Sequence, residues 1–212
     1  MSKLLWLWRR FFYGFRRGLA MNRFPKAASA VVTVSTGRGF VVEGPVGQGR
    51  LVITASHCLP DVSPCRANSR IRDRTYPNLL APLGGKPSVC AECLFVDSIG
   101  DIAVLGAPDE QELSDEFKTY KGLVEAESVT PLTVAPPDSE GWLLSLDGVW
   151  FRCAIEHECG PLNFGDLAGK IAYGMSGSPV ISTTGAAVGV VCVHSTQNPS
   201  LIRNLPGWFF AD

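Results

Sequence analysis

Residues Gly174-Met175-Ser176-Gly177-Ser178-Pro179 run directly into the apolar pair Val180-Ile181. A serine with glycine two places before and one place after, and proline three places on, describes a sharp turn ahead of a strand. Glycine adopts backbone conformations closed to other residues. The chain can therefore bend tightly enough for N–H groups near Ser176 to point into a pocket, as an oxyanion-stabilising turn requires. Alone, the hexapeptide does not decide the matter, because glycine- and serine-rich turns between strands are common.

Two upstream motifs change its weight. Thr54-Ala55-Ser56-His57-Cys58 ends the β-like run Leu51-Val52-Ile53, and Asp101 opens the apolar run Ile102-Ala103-Val104-Leu105. A serine hydroxyl is a weak nucleophile until a neighbouring base takes its proton. Histidine is the usual base, and a carboxylate can fix its tautomer and stabilise the imidazolium. His57, Asp101 and Ser176 follow one another at separations of 44 and 75 positions. That order is one of three in which such groups occur on unrelated folds. The bland alternative is a turn serine, a core histidine and a strand-start aspartate that never meet.

On these residues the chain resembles the trypsin/chymotrypsin-like superfamily of serine proteases, across residues 28–200. The resemblance implies an all-β fold of two six-stranded antiparallel β-barrels, with the site in the cleft between them. It implies His57 as general base, Asp101 as its orienting acid and Ser176 as nucleophile, with the N–H groups of Gly174 and Ser176 as oxyanion donors. The GMSGSP form looks closer to bacterial or viral branches, of the glutamyl-endopeptidase and heat-shock-protease types, than to digestive enzymes. Asp97 is the alternative acid and Asp61 a weaker one; Asp101 is preferred because it directly precedes Ile-Ala-Val-Leu. His157 sits between Glu156 and Glu158 and reads as a surface position, which, with His194, leaves His57 as the histidine in context.

Specificity is less legible. Relatives selective for glutamate or glutamine carry a histidine about fifteen residues after the nucleophile. Here that position is Val191, with His194 three residues on. The aspartate that relatives selective for arginine and lysine carry six residues before the serine is replaced by Lys170. Lys170 at a pocket floor favours acidic side chains, or else it points to solvent; Val191, Cys192 and Val193 are expected along an apolar wall. Secreted zymogens of the superfamily place an aspartate directly before the serine to capture a newly cut N-terminus, but Met175 stands there. The site is therefore expected to be preformed or switched by a partner.

Composition is that of a globular chain, with 46% hydrophobic and 18% charged residues among 212. The charge is uneven. Residues 1–26 carry seven basic residues and no acid, so a net charge of −1 leaves a body of −8. This leader's longest apolar run, Leu4 to Trp8, ends at Arg9-Arg10. That is shorter than a secretory signal or a spanning helix needs. A basic segment rich in Trp, Phe and Leu suits an anionic membrane interface. It also suits a segment packed on the body, or an artefact if translation begins at Met21.

Seven cysteines (58, 65, 90, 93, 153, 159 and 192) cannot all pair internally. Trypsin-like enzymes often bridge the position of Cys58 to the preceding strand, yet Gly39-Phe40-Val41-Val42 holds no cysteine. A reducing, cytoplasmic setting is expected, with peripheral membrane association if the leader anchors. Cys90-x-x-Cys93 and Cys153-x3-His157-x-Cys159 hint at zinc, but no second C-x-x-C completes a site, so no metal and no cofactor is expected. The expected partners are a protein or peptide substrate and, through the leader, a membrane surface; no nucleic acid is expected. The competing class is a catalytically silent protease fold that binds a membrane or a partner.

Three units are expected: the leader at 1–27, a first barrel with connector at 28–120, and a second barrel with a C-terminal segment at 121–212. Strands are predicted at 30–35, 39–43, 50–54, 69–74, 89–96 and 102–105, then at 129–134, 142–146, 149–155, 168–173, 179–182 and 187–194. These are short β-rich runs punctuated by Gly, Pro, Asn or Asp. The polar stretch from Pro108 to Gly122 reads as linker or short surface helix, and residues 201–212 as packing on the second barrel.

Overall fold

The computed structural model describes residues 24–61, 71–156, 162–193 and 201–210. A short helix, α1 (Pro25–Ser29), leads into β1 (Val31–Val34), β2 (Gly37–Glu43), β3 (Arg50–Thr54), β4 (Thr75–Pro82), β5 (Val89–Asp97) and β6 (Ile102–Gly106). These strands close a barrel in the order β1-β2-β3-β6-β5-β4, every pair antiparallel. After helix α2 (Ser114–Val124) come β7 (Glu140–Leu144), β8 (Trp150–Glu156), β9 (Leu162–Leu167), β10 (Pro179–Ile181), β11 (Ala187–Cys192) and β12 (Leu201–Asn204). They close a second antiparallel barrel in the order β10-β11-β12-β9-β8-β7. The expected fold class is met.

Valine, isoleucine and leucine dominate β1, β3, β6 and β11, residues whose side chains suit a pleated, buried surface. Along β11 the side chains alternate, as a strand requires. Val191 enters the interior of the second barrel beside Leu143, Leu162 and Ile202, whereas Val190 and Cys192 join the core shared with the first barrel. This alternation carries Cys192 to Asp101.

Three predicted strands are corrected. Residues 71–74 form one 3₁₀ turn, and the strand is β4 beyond it, bulged between Tyr76 and Leu80. The apolar stretch 129–134 makes only isolated bridges, Val42 with Leu132 and Val134 with Ala187. Leu132 N–H donates to Val41 O and Ala187 N–H to Thr133 O, so the segment is a seam between barrels. The strand expected at 168–173 is β9, at 162–167, and the sixth strand of the second barrel is β12.

Helix α2 caps the first barrel. Buried Tyr120 donates its hydroxyl to Arg50 O at 3.1 Å or Leu105 O at 3.2 Å. Such a buried hydrogen bond contributes about 1 kcal/mol. A unit boundary after residue 120 falls inside this helix. The segments flanking the two barrels cross over. Phe24, ahead of the first barrel, packs edge-on against Trp142 and Trp150 of the second. Trp208, after the second barrel, packs edge-on against Phe95 of the first and stacks on Phe209. The basic leader, apart from its last few residues, lies outside the described residues; among those described, no helix is long and apolar enough to cross a membrane.

Candidate active site

His57 sits in the 3₁₀ turn Ser56–Cys58 that directly follows β3. The turn buries Ser56 and Cys58 and leaves the His57 side chain 35% exposed. Asp101 sits at the end of the β5–β6 turn. Asp97 folds that turn, its Oδ1 accepting the N–H groups of Ile99 and Gly100 at 2.9 and 2.8 Å. Asp101 follows with φ of +54°, a left-handed backbone that aspartate tolerates better than most side chains. It is Asp101, not Asp97, that reaches the histidine; Asp61 is exposed.

The Asp101 carboxylate lies 2.8 Å (Oδ2) and 3.0 Å (Oδ1) from His57 Nδ1. Its Oδ1 also accepts the His57 backbone N–H at 3.0 Å and the Ser56 hydroxyl at 2.9 Å. The Cys192 thiol approaches the Asp101 carbonyl at 3.8 Å. Burial alone would raise the Asp101 pKa, but hydrogen bonds from the His57 ring, the Cys192 thiol and the His57 backbone hold it well below the usual carboxylate range. A lowered folded-state pKa stabilises the fold above the unfolded value, near 4, and that stabilisation is lost as pH falls through the folded value. The gap in melting temperature between wild type and Asp101→Asn is therefore expected to narrow in acid below about pH 4. Thermal denaturation across pH checks it, and a gap that widens in acid would contradict the sign.

Ser176 lies in the turn before β10. Consecutive residues of the β11 end touch the acid and the hydroxyl: Cys192 meets Asp101, and Val193 N–H donates to Ser176 Oγ at 3.3 Å. No hydrogen bond joins Ser176 Oγ to the imidazole among the described residues. The backbone of the turn is pinned to the first barrel, where Arg38 N–H donates to Ser176 O at 2.7 Å. A Cβ at Gly37 would stand 2.8 Å from Ser176 O and 2.6 Å from Cys58 Sγ, which puts the Ser176 turn against the residue next to His57.

Within the turn, the amides divide into two sets. Those of Met175, Gly177 and Ser178 donate to Ala172 O, Val191 O and Met175 O at 3.1, 2.8 and 3.0 Å. Those of Gly174 and Ser176 have no acceptor among the described residues. Gly174 has φ of +90°, in the region where glycine escapes the Cβ penalty. Met175 is fully buried with Leu143, Val180 and Val191, so apolar packing, not an ion pair, anchors the turn.

Of the expected pocket residues, Val191 and Cys192 are fully buried, leaving Val193 with partly exposed surface beside the hydroxyl. They cannot line an open wall, because strand alternation sends one into the barrel and the other onto Asp101. Lys170 is exposed on the segment after β9. His157, His194 and Cys159 lie outside the described residues. Cys90 and Cys93, three apart on β5, fall on opposite faces of a strand and cannot converge on one ion. Cys153 is buried in the second barrel, its thiol pushed up to about 12 by burial. Cys58 is likewise raised to about 11 by burial.

Sequence reasoning missed Ser56 and Arg38. Ser56 bonds the acid directly from within the TASHC motif. Arg38 carried a signal, a charge between two glycines directly ahead of the apolar residues Phe40-Val41-Val42 of the same strand.

No protein-family model matches the chain, and no curated protein matches its sequence. Solved structures do. The Rv3671c protease of M. tuberculosis, in an inactive form, aligns with TM-score 0.51 and 17% identity over 86% of this chain and 87% of its own. The serine protease of human pathogenic astrovirus aligns with TM-score 0.51 and 17% identity, over 87% and 94%. The serine protease domain of the Sesbania mosaic virus polyprotein aligns with TM-score 0.52 and 18% identity, over 82% and 88%. With two closed six-stranded barrels and these likenesses, the chain has the double-barrel fold of the bacterial and viral chymotrypsin-like serine proteases.

Proposed function

We propose that the protein is a serine endopeptidase that hydrolyses peptide bonds through an acyl-enzyme. The observation that carries the reading is the pairing of His57 Nδ1 with a buried, doubly supported Asp101, beside a turn whose Gly174 and Ser176 amides have no acceptor among the described residues. Asp101 holds the proton of His57 on Nδ1, which leaves Nε2 as the base. In the reaction Ser176 Oγ exchanges its bond from Val193 for one to Nε2 and attacks the scissile carbonyl, His57 taking its proton. Hydrogen bonds of this kind often tighten only once substrate is bound. The oxyanion is met by the Gly174 and Ser176 amides, and His57 returns the proton to the leaving amine. Water then repeats the sequence on the ester. The packing of Met175 supports a site that is formed without a cut N-terminus.

Labelling with a fluorophosphonate decides between this and a silent binding module, the reading favoured by the Ser176 hydroxyl turned toward Val193. Wild type is expected to label on Ser176, and Ser176→Ala not at all. A folded wild type that takes no label would leave the module.

A further inference from the structure

The geometry points to Arg38 as a positioning residue for the oxyanion turn, acting from the first barrel on a hairpin of the second; the inference rests on the protease reading above. Arg38 is only 6% exposed, and its guanidinium faces carbonyls: Nη1 donates to Leu144 O at 2.7 Å, and Nη1 and Nη2 both lie 3.1 Å from Ser145 O. No carboxylate pairs with it among the described residues. Taking a cation out of water is costly unless hydrogen bonds replace its shell. An apolar side chain would fill the space at less cost, so the arginine is explained by what its planar fork fixes.

What it fixes is the β7–β8 turn. Ser145 O also accepts Gly148 N–H at 3.2 Å, and Ser145 Oγ bonds Val149 and Asp147, so the turn moves as one piece. At its tip, exposed Leu146 lies over the open side of Gly174: a Cβ built there would meet Leu146 Cδ2 at 3.7 Å and Thr36 O at 3.9 Å. The Arg38 backbone N–H meanwhile holds Ser176 O at 2.7 Å. One residue thus braces both sides of the amide pair, Gly174 through the hairpin and Ser176 directly. Removing the guanidinium frees the hairpin and lets the Gly174 peptide turn away. The loss falls on acylation and not on substrate binding.

The test uses the full chain with Arg38→Met, Arg38→Ala, Arg38→Lys and Leu146→Ala. Arg38→Met is expected to lower kcat and the fluorophosphonate labelling rate by about 10²–10³-fold, the range for a lost oxyanion donor, with KM within a few-fold. Added guanidinium ion should restore part of the rate to Arg38→Ala and none to Ser176→Ala. A folded Arg38→Met that labels at the wild-type rate would overturn the proposal. If Arg38→Met does not fold, exposed Leu146→Ala carries the test: slower labelling at unchanged KM supports it, and an unchanged rate overturns it. Should wild type itself take no label, the protease reading fails separately. Amide exchange in Arg38→Lys then decides the positioning claim, with faster exchange at Gly174 and residues 145–149 supporting it and unchanged exchange overturning it.

Discussion

Gly177→Ala is expected to be among the most damaging single substitutions in the chain, costing more than about 4 kcal/mol of stability. Gly177 has φ of +81°, and a Cβ there would stand 1.8 Å from Arg38 O and 2.5 Å from Thr54 Oγ1. The left-handed backbone alone costs a non-glycine residue about 1–3 kcal/mol. The overlap cannot be relieved by a rotamer change, because Arg38 O is backbone. It also accepts the Thr54 hydroxyl at 2.7 Å, within the β2–β3 pair. The nucleophile turn must withdraw from the first barrel or the strands must part. Denaturant titration checks this, and a midpoint equal to wild type would mean that the turn does not seat on β2.

Ser176→Ala and His57→Ala should each lower kcat by about 10⁶-fold. The denaturation midpoint should barely move for Ser176→Ala and should fall for His57→Ala, which takes the ring hydrogen bond from buried Asp101. On the proposed chemistry the two side chains act in one proton transfer, so the double variant should be no worse than either single one. Asp101→Asn should retain more, a loss of about 10⁴-fold, because the imidazole is held in the wrong tautomer while the oxyanion turn survives. Steady-state kinetics on a cleaved peptide, with active-site titration, separates these. Additive losses in the double variant would show that Ser176 and His57 do not work together.

The parts legible in the sequence were those in which chemistry and backbone coincide. Gly174 and Gly177 mark a turn that only glycine makes comfortably, and Asp101 precedes an unbroken apolar strand. The misplaced strands failed for local reasons. β4 carries Pro77, Asn78 at φ of +50° and Pro82, and β9 reads Leu-Asn-Phe-Gly-Asp-Leu. Both look like loops because their tertiary partners, not their own propensities, hold them extended. The stretch 129–134 looks like a strand, yet its hydrogen bonds are shared between barrels. Asp97 and Asp101 could be ranked by context, but that the first folds the turn presenting the second is visible only in three dimensions. The buried role of Cys192 was hidden because an apolar run does not reveal which alternate residues face which core.

The crossed flanking segments have a consequence in time. During synthesis the first barrel emerges carrying His57 and Asp101, with Phe95 still lacking Trp208 and Phe24 still lacking its tryptophans. Ser176 arrives about 120 residues after His57, and Trp208 later still. On the proposed chemistry, a half-made chain holds a base without a nucleophile. It is harmless to its own ribosome until the second barrel has closed and Phe24 and Trp208 have docked across the two barrels.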